Sequence, residues 1–248
     1  SIYLILASFM LIFSACDPIV EEETLTDSTD VAGVVLTATQ SPPGGNKLTL
    51  KMSSPGITGY WNYNLGKALT NEYTVVYPIP GKSKFTYVGS LGSQFFTKTI
   101  DVQIDRLDTP LDQDWYDLVS KNTSAGKTWV FYTDNPQTNG DGPLWWFMSP
   151  PNNPDGAMGA WWNAGICCPP GDANGKMHFD LNGAANYNHY ETTSATPTKG
   201  SFVLDVANKK LIISNSKMLG YAAGNKDGVY QIIELTATKM VLYLSNNE

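Results

Sequence analysis

Tryptophan is concentrated in one irregular stretch of the chain, residues 134–176, which holds four of the seven tryptophans. They form two adjacent pairs, and short amide and carboxylate side chains lie among them. The C–H-rich face of a sugar ring stacks on an indole, while the ring hydroxyls pair with Asn and Asp side chains. The residues that we predict to form a carbohydrate-binding surface are Trp145, Trp146, Trp161, Trp162, Asn163 and Asp141.

The alternative for these tryptophans is a role in the core, because a loop-rich domain needs large side chains to close its interior. Adjacent residues of a strand face opposite sides, so at most one tryptophan of each pair is expected inside. About 40 residues without periodicity are uncommon within a compact domain and usually serve function. This favours an exposed surface, whereas Trp61 and Trp129 lie in regular strand patterns and are predicted to be core residues.

Catalysis has little support in the sequence. Aspartates of the stretch could form a glycosidase carboxylate pair, either Asp134 with Asp141 or Asp155 with Asp172. Residues 73–190 contain no Glu, and no nucleophile-elbow, zinc-protease or phosphate-loop motif occurs. We predict no catalytic residue, no metal ligand and no cofactor, with a glycoside hydrolase or lyase as the alternative function and a protein-binding adhesin subunit as another.

The beginning of the chain is typical of an exported lipoprotein. An uncharged run ends in small residues just before Cys16, so we predict a signal peptide over residues 1–15 and lipid on Cys16. Residues 16–31 are acidic and rich in Thr and Ser, which predicts a flexible tether. The remaining cysteines, Cys167 and Cys168, are adjacent and could close a strained disulfide or remain thiols. The net charge of −7 excludes nucleic acid as an expected partner.

The rest of the chain reads as two β-rich domains. Short strand patterns separated by turn signals predict a β-sandwich over residues 32–105. A linker follows over 106–126, with one short helix that places Leu111, Trp115, Leu118 and Val119 on one face. Strand patterns return over 127–248, which predicts a second, jelly-roll-like β-sandwich and an all-β protein.

Four segments of the first predicted sandwich occur in an order known from one family of modules. They are Trp61-Asn62-Tyr63-Asn64-Leu65-Gly66, Tyr77-Pro78 with Pro80-Gly81, Phe85-Thr86-Tyr87-Val88 and Thr99-Ile100-Asp101-Val102. Through these segments the sandwich resembles a PKD domain, an immunoglobulin-like module. The resemblance implies a spacer or presentation module without an active site.

Three segments of the second predicted sandwich also follow a known pattern. They are Gly126-Lys127-Thr128-Trp129-Val130, Trp161-Trp162-Asn163-Ala164-Gly165 and Gly175-Lys176-Met177-His178-Phe179-Asp180-Leu181-Asn182-Gly183. Through these segments the sandwich resembles the distal domain of lipoproteins from Bacteroidota glycan-utilisation loci. The resemblance implies a non-catalytic surface protein that is lipid-anchored in the outer membrane. It also implies a polysaccharide or oligosaccharide ligand and a SusC/SusD-type importer as neighbour.

Overall fold

The protein is rich in β-structure and has one short helix among the residues described, which agrees with the all-β class predicted from sequence. The computed structural model describes residues 33–92, 94–132, 147–148, 162–163, 169–220 and 228–244. The predicted signal peptide and tether, with Cys16, lie outside the described residues, as do Cys167 and Cys168.

The first unit contains two antiparallel sheets. One has the strand order β1-β2-β5 and the other β4-β3-β6-β7. The strands are β1 Leu36–Gln40, β2 Lys47–Met52, β3 Thr58–Asn62, β4 Lys67–Ala68, β5 Glu72–Val76, β6 Gly81–Leu91 and β7 Gln94–Ile104. Aromatic rings fill its core: Trp61 is fully buried, as predicted, and packs edge-on against Tyr87 with ring centroids 5.2 Å apart.

The predicted short helix is present as α1, Gln113–Val119. The Asp112 carboxylate caps its first turn by accepting a hydrogen bond from the Asp114 N–H. The apolar face predicted from the sequence is buried, because the Trp115 ring lies 6.1 Å from the Phe202 ring and Leu118 is fully enclosed. The helix therefore covers the second unit, to which Phe202 belongs.

The segment predicted as a linker is attached at both ends. At its start, the buried Asn46 side chain accepts a hydrogen bond from the Thr109 N–H (2.8 Å) and donates one to the Thr109 carbonyl (3.0 Å). At its end, the Leu118 carbonyl accepts a hydrogen bond from Trp129 Nε1–H at 3.0 Å. These bonds hold the segment against strands on either side of it.

The second unit is built on one seven-stranded antiparallel sheet in the order β16-β15-β14-β13-β12-β11-β8, and a separate two-stranded ribbon pairs β9 with β10. Consecutive strands are neighbours apart from the step from β8 to β11, which spans the tryptophan-rich stretch. The strands are β8 Lys127–Trp129, β9 Phe147–Met148, β10 Trp162–Asn163, β11 Lys176–Asp180, β12 Asn186–Tyr190, β13 Thr198–Asp205, β14 Lys210–Ser214, β15 Val229–Leu235 and β16 Met240–Tyr243. The predicted jelly-roll arrangement, which needs a second opposing sheet, stays a prediction.

The two faces of this sheet differ in composition, because strand residues alternate between faces. The inner face, which contacts α1, carries buried apolar side chains such as Phe179, Phe202 and Leu211. Trp129 is buried on this face, as predicted. The outer face carries half-buried and exposed polar side chains along β11, β12 and β13.

Candidate functional site

Within the tryptophan-rich stretch, β9 and β10 pair to form a two-stranded ribbon. Trp162 lies opposite Met148, and Asn163 lies opposite Phe147, in antiparallel register. Trp146 directly precedes Phe147 in the chain, so the ribbon joins the parts of the stretch that carry the two tryptophan pairs. The predicted site residues Trp145, Trp146, Trp161 and Asp141 lie outside the described residues, and the structure gives Trp162 and Asn163 as backbone only.

The stretch connects to one end of the seven-stranded sheet. The chain enters the stretch after Tyr132, which lies three residues beyond the end of β8. After the ribbon, the next described residue is Pro169, seven residues before β11. Val130 and Tyr132 are exposed there, at 62 % and 45 % of their accessible surface. We describe two groups of side chains at this end, one on each face of the sheet.

A buried hydrogen-bonded couple, Asp172 with His189, lies on the inner face. His189 Nε2 is 2.7 Å from Asp172 Oδ2, with His189 fully buried and Asp172 5 % exposed. The Gly220 N–H approaches both carboxylate oxygens, at 3.0 and 3.1 Å. Asp172 lies in the turn before β11 and His189 in β12, so the couple joins the returning chain to the sheet and to the Gly220 turn.

The surroundings favour the ionised form of Asp172. Burial alone would raise the pKa of its carboxyl, but the hydrogen bonds from His189 and from the Gly220 N–H outweigh burial, so the pKa lies below its usual value. An ionised carboxylate only accepts hydrogen bonds, so His189 Nε2 carries a proton. His189 Nδ1 is the one buried side-chain polar atom without a hydrogen-bond partner in the described part of the chain.

This arrangement argues against Asp172 as one of the two carboxylates of a glycosidase active site. Both of its oxygens are already engaged by His189 and Gly220, and the side chain is enclosed. A general acid or nucleophile must reach the substrate. Asp172 therefore serves as an anchor at the base of the tryptophan-rich stretch, and its proposed partner Asp155 lies outside the described residues.

A group of polar side chains, which we term the outer patch, lies on the opposite face at the same end. Its members are Thr128, Lys176, His178, Asn188, Tyr190 and Lys199. One straight cross-strand row runs from Thr128 through His178 and Asn188 to Lys199. The neighbouring row pairs Lys176 with Tyr190, and the lysine ammonium lies 4.7 Å from the centroid of the tyrosine ring.

The contacts of the outer patch leave much of its hydrogen-bonding capacity free. His178 Nδ1 lies 3.0 Å from Thr128 Oγ1, and His178 Nε2 lies 3.7 Å from an Asp180 oxygen. Asp180 itself accepts a hydrogen bond from the Asn186 amide at 2.7 Å. Thr128 and Lys199 are exposed, and Lys176, His178, Asn188 and Tyr190 are half-buried. The patch can therefore offer donors, acceptors and one aromatic ring to a ligand.

Sequence reasoning missed both groups, although it predicted strand patterns over the residues that contain them. The alternation of polar and apolar residues in β11 and β12 was a signal for the outer patch, since it puts Lys176, His178 and Asn188, Tyr190 on one face. No comparable signal links Asp172 to His189, because they are separated by 17 residues and meet only through the fold.

Comparison with known proteins assigns the chain to no family: no protein-family model matches it, and no match is found among curated proteins. Within the described ranges, no three potential metal ligands from His, Cys, Asp and Glu lie together. Among the same residues, no helix has the length and hydropathy needed to cross a membrane.

Proposed function

We propose that this chain is a non-catalytic cell-surface protein that binds polysaccharide through the tryptophan-rich stretch of its second unit. The observation that carries the proposal is the pairing of β9 with β10, which sets Trp162 opposite Met148 in the middle of that stretch. Trp146 lies two residues before Met148 in the chain. Trp162 in β10 and Trp146 beside β9 would supply two indoles for stacking against sugar rings.

The base of the stretch supports this proposal. A binding loop works best when a rigid scaffold positions its ends. Here the entering chain follows strand β8, and the returning chain is held by the Asp172 carboxylate through His189 and Gly220. Exposed Tyr132 and half-buried Tyr190 add aromatic surface beside the attachment.

The proposed cellular setting follows from the N-terminal residues and from the resemblances. Cys16 would carry lipid in the outer membrane, and residues 16–31 would act as the tether that holds the first unit away from it. The first unit would be a spacer, and a SusC/SusD-type importer would take up the bound glycan. Open stacking surfaces bind weakly, so retention would depend on many copies on one membrane.

The test is affinity gel electrophoresis against a panel of neutral and acidic polysaccharides, with the Trp162→Ala and Trp146→Ala variants. Each substitution is expected to abolish most of the retardation, because an aromatic stacking contact contributes about 0.5–1.5 kcal/mol beyond the apolar area that it buries. Phe95→Ala is the matched control, since Phe95 is an aromatic exposed at 52 % on the first unit.

Thermal unfolding must show that the variants remain folded. Unchanged mobility of the Trp162, Trp146, Trp145 and Trp161 alanine variants on every polysaccharide would contradict the proposal. Release of oligosaccharides during incubation would instead favour a hydrolase or lyase.

A further inference from the structure

The outer patch carries two lysines, Lys176 and Lys199, in a chain whose net charge is −7. Neither Lys176 nor Lys199 forms an ion pair with any residue in the described ranges. Other lysines of the second unit are paired, as Lys217 is with Glu191 at 2.9 Å and Lys209 with Asp114 at 2.5 Å. The patch therefore places two positive charges on one face of the sheet, with no ion-pairing carboxylate among the described residues, in a chain that is acidic overall.

The positions of these two lysines are set by neighbouring strands. Lys176 is held above Tyr190 on β12, and Lys199 lies opposite Asn188, two residues earlier on the same strand. Strand spacing and rise separate the two Cα atoms by about 12 Å. Between them lie the Asn188 amide and the His178 ring, which can hydrogen-bond to hydroxyl groups.

We propose that the outer patch is a subsite for carboxylate-bearing sugars, so that the ligand of the protein is an acidic polysaccharide. This inference rests on the proposed polysaccharide-binding function. Two fixed ammonium groups would each meet a carboxylate of the glycan, and the amide, hydroxyl and imidazole between them would meet its hydroxyls. The patch adjoins the exposed Val130 and Tyr132, from which the tryptophan-rich stretch continues. A glycan bound at the patch would pass beside these two residues.

A polyphosphate ligand matches the patch less well. Its charges lie much closer together than the two lysines, whose Cα atoms are about 12 Å apart, and it offers no hydroxyl groups to the neutral side chains of the patch. A polysaccharide with hydroxyls between its carboxylates matches a patch in which neutral polar groups separate two cations. The charge pattern and the hydrogen-bonding groups thus favour the same class of ligand.

The experiment compares polygalacturonate with the same polymer after chemical reduction of its carboxyl groups, in affinity gels and by calorimetry. The double variant Lys176→Gln/Lys199→Gln removes both charges and keeps most of each side chain. Exposed ion pairs of this kind are each expected to change affinity by about two- to five-fold, and the loss should shrink at high salt. The double variant should therefore bind polygalacturonate about tenfold more weakly and the reduced polymer as wild type does.

Two controls make the comparison specific. Lys121→Gln/Lys210→Gln removes two exposed lysines outside the patch that form no ion pair with described residues, and it should leave both affinities unchanged. Lys176→Arg/Lys199→Arg keeps both charges and should keep the preference for polygalacturonate. Thermal unfolding confirms that each variant is folded.

The outcomes separate this inference from the function on which it rests. If the wild type binds both polymers with equal affinity and Trp162→Ala binds neither, the acidic subsite is overturned and the proposed function stands. Equal affinity of wild type and Lys176→Gln/Lys199→Gln for polygalacturonate would also overturn the subsite. Failure of every polysaccharide, neutral or acidic, to bind the wild type would overturn both.

Discussion

The inner and outer faces of the seven-stranded sheet carry different chemistry on the same strands. On β11, Phe179 of the inner face is fully buried with its ring 4.8 Å from that of Tyr187, while adjacent His178 of the outer face is half-buried and contacts Thr128. The inner face stabilises the fold and anchors the chain at Asp172. The outer face contributes little packing, and its polar groups are therefore free to serve recognition.

The largest difference in stability is expected between alanine variants of two neighbouring residues of β11. Phe179→Ala should lower the free energy of unfolding by about 3–5 kcal/mol, because it empties a large volume from the core. His178→Ala should lower it by less than about 1 kcal/mol. Denaturant titration of the two variants measures both values. Similar losses for the two would show that the faces are not distinct.

Removal of the Asp172 anchor should cause the next largest loss in the free energy of unfolding. Asp172→Ala leaves the buried His189 Nε2–H without its only partner among the described residues, and an unsatisfied buried donor of this kind costs about 2 kcal/mol. Glu191→Ala is the control, since its ion pair with Lys217 is exposed and should contribute no more than about 1 kcal/mol. A loss of stability for Asp172→Ala as small as that of the control would show that Asp172 does not anchor the chain.

Asp172 should also make the free energy of unfolding depend on pH in the acidic range. The pKa of Asp172 is lowered in the folded protein, so its ionised form stabilises the fold at pH values above the unfolded pKa of about 3.9. This contribution is lost as the pH falls through the lower folded pKa. Wild-type stability should therefore fall more steeply below about pH 4 than that of Asp172→Asn. Parallel curves for the two proteins, followed by circular dichroism, would contradict this role.

The parts of the fold predicted from the sequence are those that depend on local pattern. Recurring strand patterns predicted the β-rich second unit, helical spacing predicted α1, and regular strand context predicted Trp61 and Trp129 in the core. The anchor and the outer patch depend on strand register and on turns between distant residues, and a single sequence carries no record of these. The register of β11 with β12, for example, is what places Lys176 over Tyr190.

The most direct test of the proposed site distinguishes its tryptophans from those of the core. Trp61, Trp115 and Trp129 are buried, and the remaining four belong to the tryptophan-rich stretch. In fluorine NMR of the protein labelled with 5-fluorotryptophan, a bound polysaccharide should shift resonances of the four and leave those of the three unchanged. Titration of the polysaccharide panel without a shift in any of the four, or with shifts confined to the three, would contradict glycan binding by the stretch.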